Sequence, residues 1–172
     1  AVPGAVPAAP DLGLFATAAN AGGSDLLTAT FEQWQLRSAA AGGQRLAVEY
    51  FHAGFRHYFV TALDDEIAKL DAGAFEGWTR TGLGFKVFSD PAPGRNSVCR
   101  FFTIAFPPTS SHFYAPRGLG CEGTLANADW QFEGDVFYTP LPDPAGRCPV
   151  GTSPVYRLYN NGQGGAPGHR FT

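Results

Sequence analysis

Val48-Glu49-Tyr50-Phe51-His52, Val98-Cys99-Arg100-Phe101-Phe102 and Val155-Tyr156-Arg157-Leu158-Tyr159 are three versions of one short block. Each runs on to a second marker: His57-Tyr58-Phe59, His112-Phe113-Tyr114 and His169-Arg170-Phe171. From Val to His is 14 residues in the second and third versions and 9 in the first, a difference that one loop absorbs. A third marker is Trp: Trp78 in Gly77-Trp78-Thr79-Arg80-Thr81-Gly82 and Trp130 in Asp129-Trp130-Gln131-Phe132-Glu133-Gly134, each followed by a strand-like run containing Phe85 or Phe137. A supersecondary unit repeated in this way does not bury its apolar face alone, so the fold is expected to be an assembly of the copies. The third copy reaches Thr172 before any Trp.

In copy one, β-branched and aromatic residues at Val48 to His52 and Arg56 to Thr61 predict a hairpin turning at Ala53-Gly54. Thr61 is then placed to cap a helix with Asp64 three residues on; Leu63, Ile67 and Leu70 are its apolar stripe and Gly73 its end. Asp64, Asp65 and Glu66 sit where the helix dipole favours negative charge. Copy two has the glycine-rich stretch Pro116 to Gly123 in the corresponding place, which predicts a short or irregular turn, since each interior Gly costs a helix about 1 kcal/mol. The expected fold is therefore α+β and β-rich: a single domain of pseudo-threefold strand-strand-helix-strand repeats (47–90, 96–140 and 151–172), the third incomplete. Residues 1–46 are an Ala, Gly and Pro-rich segment, a tether at first and then a short amphipathic stretch from Asp25 to Leu36. The Pro- and Gly-rich joints 89–97 and 139–154 read as surface connections between copies.

A chain of 172 residues with 44% hydrophobic content is long enough for one domain with a sizeable core. No apolar run approaches the roughly 18 residues of a membrane-spanning helix, so no membrane span is expected. A net charge of -3 and few Lys or Arg argue against a duplex nucleic-acid partner. The chain contains no Met and opens on small residues, Ala1-Val2-Pro3-Gly4-Ala5, which fits either a mature end left by signal-peptide removal or an arbitrary chain boundary. Cys99 and Cys121 fall within one copy, and a disulfide between them is preferred to two buried free thiols. Cys148 is then odd and points to a partner elsewhere.

Tyr156-Arg157-Leu158-Tyr159-Asn160, Ser111-His112-Phe113-Tyr114, Gly77-Trp78, Phe132-Glu133-Gly134 and Cys148-Pro149-Val150-Gly151-Thr152 together resemble a bacterial secreted repeat family of uncharacterised function. Its pattern is a Tyr-rich strand, a His-Phe-Tyr-Thr run, a helix, and a Gly-Trp then Glu-Gly strand, three times over. The resemblance covers about residues 47 to 172. It implies a secreted, periplasmic or cell-surface location, and no established chemistry. It also implies a closing strand for copy three, often bearing a Cys that would pair with Cys148, so that another polypeptide completing the third repeat becomes a candidate partner. The family usually has a helix where copy two carries its glycines.

Three histidines at equivalent markers, His57, His112 and His169, could converge as a zinc or copper set. The preferred reading is that each holds its own repeat together, because no His-x-x-x-His or Cys-x-x-Cys spacing is present. No metal and no cofactor are expected. Tyr and Trp at strand ends offer an apolar face with a polar handle, which suits sugar stacking, although core packing accounts for most of the aromatics. The candidate binding residues are Tyr50, His57, Tyr58, Trp78, His112, Tyr114, Trp130, Tyr156, Tyr159 and His169. Catalytic signals are weak: Asp64, Asp65 and Glu66 read as helix-start residues, and Ser110-Ser111-His112 places neighbours on opposite faces of a strand without a nucleophile elbow. Asn161 to Gly165 is no phosphate loop, since a strand follows it; it reads as a flexible hairpin loop. The sequence favours a secreted noncatalytic binding or assembly module, for cell-surface glycans. The alternatives are an extracellular hydrolase or metal-binding protein using the repeated histidines, and a structural accessory subunit that docks another chain.

Overall fold

The computed structural model describes residues 43–172; the expected tether and the amphipathic stretch 25–36 lie outside the described residues. The order of elements is β1 (Gln44–His52), β2 (His57–Thr61), α1 (Asp64–Asp71), β3 (Trp78–Phe88), β4 (Asn96–Thr103), β5 (Ser111–Pro116), α2 (Cys121–Leu125), β6 (Gln131–Thr139), β7 (Arg157–Tyr159) and β8 (His169–Phe171). Six strands form one antiparallel sheet in the order β2-β1-β3-β6-β4-β5, and β7 and β8 form a separate hairpin. The class is α+β and strand-rich, as expected. In each half of the large sheet a hairpin is followed by a helix, and the next strand pairs on the free side of the hairpin's first strand.

Alternation along β1 sends Ala47 and Glu49 to one face and Val48 and Tyr50 to the other, yet all four are buried. Both faces of the strand are therefore covered. Val48 and Tyr50 pack with Phe59 and Leu70 under α1, while Ala47 joins Val60, Val87, Val98, Tyr114 and Phe137 in a central cluster. On β4, Cys99 and Phe101 pack with Ala115 and Cys121 under α2, while Val98 faces the central cluster. Cys99 and Cys121 form a disulfide across this third cluster, and Cys148 is free and partly buried. The disulfide ties the five-residue α2, at its first residue, to β4.

α1 begins two residues later than the capping pattern predicts. Its N-cap is Leu63, and Thr61 instead accepts from the Leu63 N–H at 3.1 Å and donates to Glu66. Thr61 can do both because Glu66 is drawn towards Arg100 and lies over the start of the helix. The helix ends at Ala72, with Gly73 in a left-handed conformation at φ 70°.

The large sheet curls until its edge strands meet. The Tyr114 hydroxyl on β5 donates to the Val60 carbonyl at 2.7 Å and accepts from the Val60 N–H at 3.0 Å. One phenol thus satisfies a donor and an acceptor of the β2 backbone that the missing neighbour strand would otherwise take. The β7–β8 hairpin is tied on by Arg170 to the buried Glu49 (3.2 Å), by Arg157 to the Tyr114 carbonyl (3.2 Å) and by a Ser111 hydroxyl bond to the Pro167 carbonyl.

Candidate functional site

Where β2, the β4–β5 loop and the β7–β8 hairpin converge, they enclose a cleft of about 350 Å³. Phe51 and Tyr58, opposite each other on β1 and β2, present two rings 4.5 Å apart. Across from them Tyr159 lies stacked on His169 at 5.0 Å, half of its surface still open. Arg56, Arg170, Ser110 and Gln163 add polar groups, and no carboxylate lines the cleft. Arg170 is already spoken for, over the Tyr58 ring at 4.6 Å and paired with Glu49. Arg56 sits at the hairpin turn in a left-handed conformation, φ 53°, and makes no ion pair among the described residues.

The loop between β7 and β8 connects a hairpin, as expected, and its polar groups gather on one side chain. The Asn160 amide donates to the Gln163 and Ala166 carbonyls at 2.6 and 3.0 Å and accepts from the Gly162 and Gly168 N–H groups at 3.0 and 2.8 Å. A single side chain thus supplies the turn's polar partners. Gly164 has φ 89°, a conformation that favours glycine, and a Cβ there would come within 2.9 Å of the Arg56 guanidinium and push that side chain aside.

Beneath the cleft runs a chain of hydrogen bonds. Ser110 Oγ lies 2.8 Å from His57 Nδ1, His57 Nε2 lies 2.7 Å from His112 Nδ1, and His112 Nε2 lies 3.1 Å from Glu133 Oε2. Its far end is Arg100, on β4, which reaches Glu133 with Nε at 2.8 Å and Glu66 with Nη1 and Nη2 at 2.8 and 2.7 Å, its guanidinium 5.0 Å above Phe59. Burial opposes ionisation of Glu133, but the bonds from His112 and the charge of Arg100 outweigh it and hold its carboxyl below the ordinary value. Glu66 is lowered in the same way, burial being overcome by Arg100 and Thr61. The histidines go the other way. Burial, with His112 and His52 nearby, pushes His57 down to about 3, and burial lowers His112 despite Glu133.

Two neutral imidazoles and one carboxylate fix the direction of every bond. An ionised Glu133 accepts only, so His112 carries its proton on Nε2 and is bare at Nδ1. His57 must then donate from Nε2 to His112, which leaves its Nδ1 bare to accept from the Ser110 hydroxyl.

The two histidines meet for a reason the repeat pattern hides. Tyr50 stands opposite Phe59, and Phe101 opposite Phe113; both pairs face the helix-covered clusters. Counted from these pairs, His57 corresponds to Ser111, and His112 to Tyr58. Aligned on these pairs, the two hairpins place His57 and His112 one residue out of step, and so on opposite faces. They converge across the closed edges of the sheet. His169 stays apart on the cleft wall, lowered to about 4 by burial with Arg157 adding to it, its Nδ1 buried without a hydrogen-bond partner. Among the described residues no group of three His, Cys, Asp or Glu is arranged to hold a metal ion.

Of the ten candidate residues, the cleft brings together Tyr58, Tyr159 and His169. His57 and His112 lie below it in the bonded chain. Tyr50 is buried and donates to Asp71 at 2.8 Å, anchoring α1, and Tyr114 closes the sheet edge. Trp78 packs on His57 and Phe59, and Trp130 on Phe113. Tyr156, exposed, pairs through its backbone with Thr172. Sequence reasoning missed Phe51, Arg56, Ser110 and Gln163 as cleft residues; the signals on offer were the hydroxyls beside His112 and the charge of Arg56 at the start of a predicted strand.

Among the described residues no helix is long and apolar enough to cross a membrane. No curated protein and no solved structure matches the chain. Residues 104–172 match the model of a family described as a domain of unknown function (DUF5648), a stretch that contains Ser110, His112, Glu133 and the Tyr159–His169 wall but stops short of the β1–β2 side of the cleft.

Proposed function

We propose that the protein is a secreted binding module whose cleft recognises a glycan of the cell surface, with acidic sugars preferred. The observation that carries this reading is the lining: the rings of Phe51, Tyr58 and Tyr159 beside two arginines, with no carboxylate. Aromatic faces suit the C–H faces of a pyranose, and planar polar groups suit its hydroxyls. Arg56, which makes no ion pair among the described residues, favours a carboxylate or sulfate on the sugar. The disulfide fits an oxidising compartment. The scaffold reads as three versions of one plan, since β2-β1-β3 and β5-β4-β6 share an order in which β8-β7 would be the third hairpin.

Glycan-array screening, followed by titration of the best acidic hit, tests this. Tyr159→Ala should weaken binding about tenfold, the loss of roughly half an aromatic side chain's burial. Arg56→Ala should abolish the preference for acidic over neutral sugars and flatten the salt dependence. An array without hits, or variants that bind as the parent does, would remove the reading.

A further inference from the structure

Ser110 lies partly exposed on the cleft wall, and its hydroxyl is the terminal donor of the chain that runs through His57 and His112 to Glu133. Because Glu133 can only accept, the hydroxyl proton is directed at His57 Nδ1 and the oxygen's lone pairs are left for the cleft. This is the arrangement of a nucleophile with a base that is itself oriented by further groups. We propose that Ser110 is a catalytic nucleophile and that the cleft hydrolyses carboxylic esters through an acyl-serine intermediate. The inference goes beyond glycan binding and does not rest on it.

The steps balance with water as the only co-substrate. Ser110 Oγ adds to the ester carbonyl carbon as its proton passes to His57 Nδ1; the proton on His57 Nε2 moves to His112 Nδ1, leaving His112 cationic beside Glu133. The tetrahedral adduct then collapses by breaking the bond to the alcohol oxygen, which takes the proton back through the same two rings. Water repeats the sequence on the acyl-serine, releasing the carboxylic acid and restoring Ser110. Arg56 and Gln163 line the same cleft and supply it with side-chain N–H donors, and no carboxylate lines it. His57 and Ser110 touch the reacting atoms or their proton. His112 and Glu133 are positioning residues. A buried imidazole is a weak base, so esters with good leaving groups are the expected substrates.

The full chain is treated with a fluorophosphonate probe, and tryptic peptides are mapped by mass; hydrolysis of p-nitrophenyl acetate is followed in parallel. The expected result is one adduct, on Ser110, and loss of both reactions in Ser110→Ala. Glu133→Gln, whose amide can donate as well as accept, frees the direction of the chain and should slow labelling by about 10² or more while circular dichroism shows a folded protein. His57→Gln should do the same. In the parent the labelling rate should hold down to about pH 5, whereas an exposed histidine base would lose it below its ordinary value near 6.5. An unlabelled Ser110 in the folded parent, or Glu133→Gln labelling at the parental rate, would overturn the proposal. Neither result depends on whether a glycan binds.

Discussion

Arg100→Met should destabilise the protein by about 3 kcal/mol or more, measured by urea unfolding at pH 7. The Arg100 side chain is 7% exposed and bonds both Glu66 and Glu133, whose side chains are each about a quarter exposed. Methionine fills the stem's volume but strands two carboxylates beside Phe59 and the central cluster. The cost of breaking a buried pair is about 3–5 kcal/mol, and residual hydration of the carboxylates puts this case at the lower end. Glu66 belongs to α1 and Glu133 to β6, so the clasp joins the two halves of the molecule. The triple variant with Glu66→Gln and Glu133→Gln should recover much of the loss, because it leaves no unpaired charge. A single variant as stable as the parent would mean that the clasp is solvated and contributes nothing.

Acid should weaken the fold from pH 6.5 downward, well above the range where carboxylates titrate. In the unfolded chain His57 and His169 take up protons near 6.5; folded, they wait until about 3 and about 4. Below pH 6.5 the unfolded state therefore binds more protons, and stability falls with pH by about 1.4 kcal/mol per unit for each histidine. Between pH 6.5 and 4.5 the two together account for a loss on the order of 4 kcal/mol. His112, also lowered, adds in the same direction. Glu66 and Glu133, held below their ordinary values, contribute stability that is present above about pH 4.5 and is lost only beneath it. Urea titrations at pH 7, 6 and 5 check the slope, and His57→Gln should reduce it by one proton. A parent whose stability is level down to pH 4.5 would show that the imidazoles are not buried in neutral form.

The two predictions depend on contacts of different visibility in the sequence. Extended blocks around Tyr50, Phe101 and Leu158, the helix ending at Gly73 and the Cys99–Cys121 pair are local patterns or lie close along the chain, and the structure contains each. Tyr58, Tyr159 and His169 were recognisable as aromatic or titratable residues at strand ends. The chain from Ser110 to Glu133 was not, because Ser110 and His57 stand 53 positions apart and meet only when β5 closes against β2. Within the Ser110-Ser111-His112 run, Ser110 bonds not to its neighbour His112 but to His57 of the other edge strand. The one-residue offset between the two hairpins reverses a face without altering composition or spacing enough to show. Arg100 is a similar case: its carboxylates lie 33 and 34 positions away on either side, beyond the reach of any periodicity.

Central to all of this is the chain of neutral imidazoles under the cleft. Long-range ¹H–¹⁵N correlation of the histidine rings between pH 7.5 and 4.5 observes it directly, because the nitrogen shifts report which atom carries the proton. His57 and His112 are both expected as Nε2–H tautomers with bare Nδ1, neither titrating near 6.5. Either ring found as the Nδ1–H tautomer, or charging near 6.5, would contradict it.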